Sequence, residues 1–171
     1  MKIAITGSNS NLGKYLTNYF KKKKQKVVLI NKNKKFFLEN KNTYNFKKKK
    51  IDVLIHLAHN YTNLGKRINY EGSKKLFINA KKNRVKKIIF ISSISSHKSA
   101  ISDYGTTKYL IENYCLKNKI IIIRPGLIFG NKLDKKLNLM FSIIKFIPII
   151  PYFTGKKNFI YAVNIKELTE E

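Results

Sequence analysis

Tyr104 and Lys108 are the two side chains whose types and spacing best suit proton transfer. Residues four apart lie on one face of a helix, so the Lys108 ammonium can approach the Tyr104 phenol. A phenol with a pKa of ~10 is a poor base at neutral pH, but each unit by which a nearby cation lowers that pKa stabilises the phenolate by about 1.4 kcal/mol. The pair therefore predicts a general acid/base that exchanges a proton with a hydroxyl or carbonyl oxygen.

The spacing alone does not identify this pair. Tyr-x-x-x-Lys occurs five times in the chain, whereas about two matches are expected by chance. What distinguishes Tyr104 and Lys108 is that they begin a predicted helix that follows a strand ending in Ser92 and Ser93 and precedes the strand ending in Arg124 and Pro125. Those hydroxyls can hold a substrate oxygen or form an ordinary polar loop, and composition does not choose among Ser92, Ser93, Ser95 and Ser96.

The N-terminal segment has the pattern of a nucleotide-binding turn. The apolar run Ile3–Ile5 precedes Gly7 and Gly13, after which helical spacing begins. In a dinucleotide-binding βαβ unit, the first glycine permits a sharp turn and the last lets the helix pack close to the sheet. The pyrophosphate then binds to N–H groups at the helix N-terminus. Ser10 stands where a middle glycine gives the easiest backbone approach, so we expect its Cβ to narrow that approach while its hydroxyl can reach phosphate.

Strands and helices alternate along the chain. Short β-branched runs predict five strands, Ile3–Ile5, Val27–Ile30, Val53–Leu57, Ile88–Ile91 and Ile120–Ile123. Helical spacing predicts three helices, Leu12–Lys23, Lys66–Lys82 and Asp103–Lys117. This order predicts an α/β fold, a Rossmann-like doubly wound parallel sheet with helices on both faces. The Asn- and Lys-rich segment Asn31–Lys50 predicts an irregular connection.

The amino-acid composition indicates which classes of partner the chain can bind. The chain has 171 residues, 43% apolar content and a net charge of +27, which predicts one globular domain and ordinarily favours nucleic acid or anionic membranes. The most frequent residues, Lys, Asn and Ile, all have A/T-rich codons, which explains the charge more simply. Arg, the side chain preferred for reading bases and clamping phosphates, occurs only three times. We expect no specific nucleic-acid partner.

The sequence also predicts a cytoplasmic protein. Cys115 is the single cysteine, which excludes an intramolecular disulfide and fits a reducing compartment. The N-terminus enters a strand directly, without the pattern of a signal peptide. The most apolar stretch, Leu139–Phe153, is too short to span a bilayer. We expect no transmembrane segment, and a weak contact with a membrane surface stays open.

The order of the motifs resembles the extended short-chain dehydrogenase/reductases, in particular the NAD(P)-dependent sugar-nucleotide epimerase/dehydratase group. The matching segments run almost from end to end: T-G-S-N-S-N-L-G at Thr6–Gly13, D-V-L-I-H-L-A at Asp52–Ala58, I-N-Y-E-G-S-K-K-L at Ile68–Leu76, I-I-F-I-S-S at Ile88–Ser93, Y-G-T-T-K at Tyr104–Lys108, R-P-G-L-I-F-G at Arg124–Gly130 and F-I-Y-A-V-N at Phe159–Asn164. In the last segment, Asn164 stands where the family usually has Asp.

The resemblance implies a catalytic set of Ser93, Tyr104 and Lys108. Ser93 would hold the substrate oxygen, and Tyr104 would exchange a proton with it while a nicotinamide exchanges hydride with the attached carbon. The resemblance further implies that the cofactor contacts Gly7, Ser10, Asn11, Leu12, Gly13, Asn31, Lys32, Leu57, Ala58, Asn69, Tyr104, Lys108 and Pro125. The implied substrate is a small molecule, a nucleotide sugar or a similar carbonyl or hydroxyl compound.

The choice of cofactor depends on the end of the second strand. An acidic residue there hydrogen-bonds the ribose diol and repels a 2′-phosphate. Asn31 cannot repel a 2′-phosphate, and Lys32, Lys34 and Lys35 can neutralise one. We therefore expect an NAD(P) cofactor, with NADP favoured over NAD.

No metal site is expected. His56 and His59 lie three residues apart at a strand end, so their side chains point in different directions, and no carboxylate cluster accompanies them. The resemblance places His56 at a structural position near the cofactor. It places His59 where the family usually has a small residue, so we expect His59 to narrow the site.

The length leaves two functional classes open. Members of the family usually continue beyond the strand matched here by Phe159–Asn164, in the region that builds most of the sugar-nucleotide pocket, whereas this sequence stops at Glu171. We expect an NAD(P)-binding Rossmann domain over residues 1–171, with 132–171 as a remnant of the substrate side and most of the substrate-binding region absent. The chain is then an epimerase, dehydratase or reductase, or else a catalytically silent NAD(P)-binding module or truncated fragment that needs a partner chain. A homo-oligomer also stays open.

Overall fold

The computed structural model describes residues 1–30, 46, 50–62, 65–130, 142, 145 and 161–170. These residues fall into two compact units, Met1–Pro125 and Gly126–Glu171, each of which is described by itself. Several sequence predictions concern residues outside the described ones. These are the predictions for Asn31, Lys32, Lys34 and Lys35 and most of those for residues 132–160. The assignment of residues 1–171 to one nucleotide-binding domain stays a prediction.

The unit Met1–Pro125 alternates strands and helices, as the sequence predicts. In chain order its described elements are β1 (Lys2–Thr6), α1 (Asn11–Lys22), β2 (Lys26–Ile30), β3 (Val53–His56), α2 (Gly65–Lys82), β4 (Lys87–Ile91), α3 (Asp103–Lys117) and β5 (Ile121–Ile123). The strands form one parallel sheet in the order β2-β1-β3-β4-β5. The predicted α/β fold, a Rossmann-like doubly wound parallel sheet, is confirmed.

The strand order changes direction between β1 and β3. The connection through α1 leads outward to β2, whereas those through α2 and α3 lead the other way to β4 and β5. Because parallel crossovers are right-handed, α1 covers one face of the sheet and α2 and α3 cover the other. Doubly wound sheets bind ligands at the carboxyl ends of the strands at such a switch point. The fold therefore brings the turn after β1 and the chain after β3 to the place where a ligand binds.

The main core lies between the sheet and the helix pair α2 and α3. Successive side chains of a strand point to opposite faces, so alternate strand residues such as Leu54 and Phe90 face this helix pair. There they join Phe77 and Cys115 in one buried cluster. The thiol of Cys115 is free and buried. This packing fixes α3, the helix that carries the predicted acid/base pair, against β4.

The unit Gly126–Glu171 contains a small parallel sheet of β6 (Leu127–Phe129) and β7 (Ala162–Asn164), followed by α4 (Ile165–Glu170). At Gly126 a Cβ would lie 2.1 Å from the Tyr161 carbonyl oxygen, so this close approach requires glycine. Asn164 caps α4, because its side-chain oxygen accepts a hydrogen bond from the Lys166 N–H at 2.9 Å.

Candidate functional site

The turn after β1 is formed by close backbone contacts around Gly7. Gly7 has φ +68°, which favours glycine, and a Cβ there would lie 2.8 Å from the backbone nitrogen of Ala58. At the other end of the turn, a Cβ on Gly13 would lie 2.4 Å from the Gly7 carbonyl oxygen and 2.7 Å from the Ser8 Cα. Both glycines are therefore needed for the backbone itself, and not only for the approach of a ligand.

Ser10 is the N-cap of α1. Its hydroxyl donates to the Gly7 carbonyl at 2.8 Å and accepts from the Gly13 N–H at 3.1 Å. Its φ of −68° is ordinary for any residue, so this backbone does not need glycine at the middle position. The hydroxyl thus already has a structural role, and its contact with phosphate stays a prediction.

The start of α1 offers a site for an anion. Helix geometry leaves the first-turn N–H groups of Asn11 and Leu12 without an intrahelical acceptor. The first turn carries no acidic side chain that would repel a negative ligand. The helix dipole adds a partial positive charge at the same end. The turn thus has the features of a phosphate cradle.

A buried hydrogen-bond chain joins β1 to the backbone after β3. The Thr6 hydroxyl accepts from the N–H groups of Leu57 at 3.1 Å and Ala58 at 3.2 Å. With both lone pairs used, Thr6 donates its own proton to His56 Nδ1 at 2.6 Å. His56 then carries its proton on Nε2, which donates to the Ser73 hydroxyl at 2.9 Å. The chain holds the predicted cofactor contacts Leu57 and Ala58 beside Gly7.

Asn69 holds the next residues of the same loop. Its side chain accepts from the Asn60 N–H at 2.7 Å, donates to the Asn60 carbonyl at 2.8 Å and reaches His59 Nε2 at 3.3 Å. The residue is only 1% exposed. Its donors and acceptor therefore already position His59 and Asn60, and the predicted direct contact of Asn69 with the cofactor stays a prediction.

Burial keeps both histidines neutral. Desolvation, followed by the charges of Lys108 and His59, lowers the pKa of His56 to about 3. Desolvation and Lys108 lower the pKa of His59 to about 4. Histidines in the unfolded chain have a pKa of about 6.5, so below that pH unfolding takes up protons, and the free energy of unfolding falls as the pH falls. Above about pH 6.5 the two histidines add no pH dependence.

We expect the free energy of unfolding to fall by about 2 kcal/mol per pH unit between roughly pH 6 and pH 5, where two histidines titrate only in the unfolded state. Urea unfolding across this range measures the slope. His59→Asn should remove about half of it, whereas the exposed control His97→Asn should leave it unchanged. A free energy that stays constant over this range contradicts the burial of two neutral histidines.

Tyr104 lies in the first turn of α3, close to Ser93. Burial raises the pKa of the Tyr104 phenol, the nearby Tyr61 raises it further, and a hydrogen bond with Ser93 lowers it only in part. The expectation that Lys108 lowers the pKa of Tyr104 is wrong. The Lys108 ammonium lies 5.6 Å from the centre of the Tyr104 ring, and its hydrogen bond goes to the Ile91 carbonyl.

Lys108 is anchored to β4. Its ammonium donates to the Ile91 carbonyl at 2.7 Å and lies 4.6 Å from the centre of the Phe90 ring. The residue is 3% exposed, and burial lowers the pKa of Lys108 to about 8, although the charge of Glu112 opposes this. Lys108 therefore remains mostly protonated at neutral pH, and its contact with a ribose stays a prediction.

An aromatic cluster surrounds Tyr104. The His59 ring packs edge-on against the Tyr104 ring, with centroids 4.9 Å apart, and against Tyr61 at 4.6 Å. Tyr61 lies almost parallel to Tyr104 at 6.0 Å and is 80% exposed. Sequence reasoning missed Tyr61, because it matches none of the motifs. His59 lies beside the predicted acid/base Tyr104, and the narrowing of the site by His59 stays a prediction.

The predicted residues thus form two groups. The first, around the β1–α1 turn, contains Gly7, Ser10, Asn11, Leu12, Gly13, Leu57 and Ala58. The second contains Ser93, Tyr104 and Lys108, with Asn69 joined to it through His59. Pro125 adjoins the serine turn, because its carbonyl accepts from the Ile94 N–H at 3.1 Å. Asn31 and Lys32 lie outside the described residues.

In the part of the chain that the structure describes, no three His, Cys, Asp or Glu side chains are grouped so that they could hold a metal ion. Within the same residues, no helix has the length and apolar character needed to cross a membrane.

Two features together are typical of the class of extended short-chain dehydrogenase/reductases. One is a doubly wound sheet with a glycine turn at its switch point, and the other is a Tyr-x-x-x-Lys helix beside a strand that ends in serines. The model of the NAD dependent epimerase/dehydratase family matches residues 3–147, and the chain belongs to this family. A search of curated proteins finds no match.

Solved structures share the fold. A dTDP-4-dehydrorhamnose reductase from Clostridium acetobutylicum is 26% identical with a TM-score of 0.71, and the match covers 85% of this chain and 60% of that one. UDP-glucose 4-epimerase from Thermus thermophilus, in complex with NAD, is 16% identical with a TM-score of 0.77, covering 99% and 72%. A dTDP-4-dehydrorhamnose reductase from Bacillus anthracis, in complex with NADP, is 20% identical with a TM-score of 0.72, covering 84% and 60%. The chain thus spans 60% of the length of either reductase.

Proposed function

We propose that this chain binds a nicotinamide dinucleotide at the β1–α1 turn and acts as an NAD(P)-dependent epimerase, dehydratase or reductase on a nucleotide sugar or a similar carbonyl or hydroxyl compound. The observation that carries the proposal is that the chain after β3 links two groups of residues: Ala58 lies against Gly7 of the phosphate cradle, and the next residue, His59, packs against Tyr104 of the Ser93, Tyr104 and Lys108 group. The proposed compartment is the cytoplasm, which the free thiol of Cys115 supports.

The residues present fit a dinucleotide. A Cβ at Gly13 would fill the space between α1 and the turn, and the free N–H groups of Asn11 and Leu12 suit a pyrophosphate. Ala58 and Leu57 are held beside Gly7, where they can line the adenosine side of the cleft. The bound nicotinamide supplies hydride transfer to or from the substrate carbon.

The side chains of this protein supply the proton. Because its pKa is raised by burial, the Tyr104 phenol is protonated at neutral pH and can donate a proton to a substrate carbonyl oxygen. Ser93 can hold the same oxygen by a hydrogen bond, and its contact with Tyr104 keeps the two hydroxyls together. Lys108 is mostly protonated at neutral pH, and its proposed role is a contact with the cofactor ribose. The arrangement favours the reductive direction.

Turnover tests this proposal. NADPH absorbance is followed while the protein is supplied with a panel of keto-sugar nucleotides. We expect oxidation of NADPH with at least one of them. Binding of NADPH without oxidation on any compound supports the alternative, a nucleotide-binding module without activity. The raised pKa of Tyr104 and the engagement of Lys108 with Ile91 are the observations that favour this alternative.

We propose NADP as the preferred cofactor, because lysines follow β2 where an acidic residue would repel the 2′-phosphate. Calorimetry should give an affinity for NADP about tenfold above that for NAD, since one charge pair contributes on the order of 1 kcal/mol. Lys32→Glu should remove this difference and leave NAD binding nearly unchanged. The control Lys22→Glu, at an exposed position, changes the net charge by the same amount and should preserve the difference in affinity between NADP and NAD. Tighter binding of NAD by the parent chain contradicts the proposal.

A further inference from the structure

The amino-terminal ends of the strands form the edge of the sheet that lies opposite to the β1–α1 turn. Because the five strands are parallel, their first residues lie together at this edge. The helices run back between successive strands, so α1, α2 and α3 end at the same edge. A strand of five residues is about 17 Å long, which separates this edge from the phosphate cradle.

This edge carries exposed cations in every described turn, and Arg84 is the only arginine among them. Asp52 is the only acidic residue that the structure describes at this edge. It already accepts a hydrogen bond from the backbone N–H of Lys2 at 2.8 Å and pairs with Lys86 at 3.6 Å. We call the exposed cations at this edge the amino-end surface: Lys21, Lys22, Lys23, Lys24, Lys26, Lys50, Lys81, Lys82, Arg84, Lys86, Lys87, Lys117 and Lys119.

A/T-rich codon usage explains how many lysines the chain has, but it does not explain the cations at four left-handed positions. Within the described residues, every non-glycine residue with a positive φ lies in the amino-end surface, namely Lys24 (φ 56°), Lys50 (43°), Arg84 (57°) and Lys119 (53°). Asn adopts this conformation more readily than Lys or Arg does, and its codons are as A/T-rich as those of Lys. The positive charge is therefore the property that explains these four residue types.

The helix dipole explains only a part of this surface. It favours cations in the last turn of a helix, such as Lys21 and Lys22 in α1. Sheets have only small dipoles, so this effect does not account for Lys26 and Lys87, which begin β2 and β4. The placement of the cations at both kinds of element indicates a surface that binds a large anionic partner.

Exposed apolar side chains stand among these cations. Met1, Leu116 and Ile121 are 63%, 66% and 47% exposed. Lysines beside exposed apolar side chains suit the interface of an anionic bilayer, where headgroups attract the cations and apolar groups enter the acyl boundary. Nucleic acid instead favours arginine forks and aromatic rings. The amino-end surface has a single arginine, and none of the exposed aromatic side chains that the structure describes lies there.

We propose that the amino-end surface binds peripherally to a membrane that contains anionic lipids. The lysines contact the headgroups, while Met1 and Leu116 enter the interface between them. The carboxyl ends of the strands then face away from the bilayer, so the β1–α1 turn stays open to water. The cytoplasmic leaflet carries such lipids, which agrees with the proposed compartment. This proposal does not rest on the proposed function, since the binding requires neither cofactor nor substrate.

Co-sedimentation with lipid vesicles tests the proposal. We expect the full chain to bind phosphatidylcholine vesicles that contain about one-third phosphatidylserine at about 0.15 M salt, and not to bind pure phosphatidylcholine. Raising the salt to about 1 M shortens the Debye length to about 3 Å and should weaken the binding at least about tenfold.

A variant of the four left-handed positions shows whether the amino-end surface makes the contact. It combines Lys24→Asn, Lys50→Asn, Arg84→Asn and Lys119→Asn, which removes four charges and gives each position a residue that tolerates a positive φ. One lysine near an anionic surface strengthens binding about fivefold. The variant should therefore bind the anionic vesicles at least about a hundredfold more weakly than the parent.

The matched control removes three lysines and one arginine from the opposite edge. It combines Lys14→Asn, Lys66→Asn, Arg67→Asn and Lys98→Asn, which lie exposed in the first turns of α1 and α2 and in the loop after β4. The net charge falls by the same amount in both variants. The control should bind the vesicles within about threefold of the parent, because these charges lie more than a Debye length from the bilayer.

Leu116→Ser separates a membrane from nucleic acid as the partner. Removing a side chain that enters the acyl boundary should weaken vesicle binding about tenfold, and it should leave the binding of a DNA duplex unchanged. The control is Ile101→Ser, because Ile101 is fully exposed just before α3 and lies outside the amino-end surface. It should change neither kind of binding.

Three results overturn the proposal. The first is absence of binding to the anionic vesicles at about 0.15 M salt. The second is equal weakening by the two fourfold variants, which means that the net charge alone attracts the protein. The third is vesicle binding that Leu116→Ser leaves unchanged, which identifies a surface for polyanions in general. If the fourfold variant of the amino-end surface does not fold, Leu116→Ser and its control decide.

Discussion

Tyr104→Phe is expected to lower kcat by about 10³-fold and to leave the affinity for the cofactor unchanged. The substitution deletes the oxygen that donates the proton, and a positioned general acid contributes about 10²–10⁴-fold to a rate. The ring itself remains, so its packing against His59 and Tyr61 is kept. Turnover is measured by NADPH absorbance with the keto-sugar nucleotide that the parent accepts, and affinity by calorimetry.

The matched control is Tyr70→Phe. Tyr70 and Lys74 have the same spacing, and the Lys74 ammonium lies 6.0 Å from the centre of the Tyr70 ring, but this pair lies on α2 and not on α3. We expect its loss to leave kcat unchanged. A Tyr104→Phe variant that keeps kcat within about tenfold of the parent, or a Tyr70→Phe variant that loses as much, contradicts the assignment of the acid.

Gly13→Ala is expected to reduce the affinity for the dinucleotide by at least about a hundredfold and the free energy of unfolding by about 1–3 kcal/mol. The added Cβ would lie 2.4 Å from the Gly7 carbonyl oxygen and 2.7 Å from the Ser8 Cα, and both of these are backbone atoms that cannot simply rotate away. The start of α1 must then move from the turn, and the phosphate cradle moves with it.

Ser10→Ala is the control for this prediction. It removes the N-cap of α1 without any clash, so it should cost about 1 kcal/mol of stability and weaken cofactor binding far less than Gly13→Ala does. Calorimetry and urea unfolding on both variants give the comparison. If Gly13→Ala binds the dinucleotide as tightly as the parent, the cradle is not where the ligand lies.

The fold could be predicted because the pattern that determines it is local. The β-branched runs and the helical spacing identified the five strands and three helices that the structure describes in the unit Met1–Pro125, with bounds within a few residues of those observed. Gly7 and Gly13 also stood out, because a sharp turn and a close helix approach leave few alternatives to glycine.

The electrostatics of the site could not be predicted, because they depend on burial and on contacts between distant segments. The i, i+4 spacing suggested that Lys108 activates Tyr104, but the Ile91 carbonyl and the Phe90 ring hold the ammonium, and burial dominates the pKa of the phenol. The ion pair of Glu112 on α3 with Arg124 was equally hidden, since Arg124 lies outside that helix, just after β5.

Ser10 shows a third kind of difference. From the motif spacing, Ser10 was expected to replace a glycine and to narrow the approach of a phosphate to the backbone. In the structure, its φ and its two hydrogen bonds are those of an ordinary helix N-cap. A residue at one position can stabilise the backbone and also bind a ligand. Only the local conformation shows which of these two roles explains the residue type.

The central claim, that the turn after β1 binds a nicotinamide dinucleotide, is tested most directly by calorimetric titration of the parent chain with NADP and NAD. Because the net charge of +27 attracts any anion, pyrophosphate at the same concentration and salt serves as the control ligand. We predict saturable binding of a dinucleotide at one site per chain, lost in Gly13→Ala and much tighter than the binding of pyrophosphate, which can occupy only the phosphate cradle. Absence of binding by both dinucleotides, or binding that Gly13→Ala leaves intact, contradicts the claim.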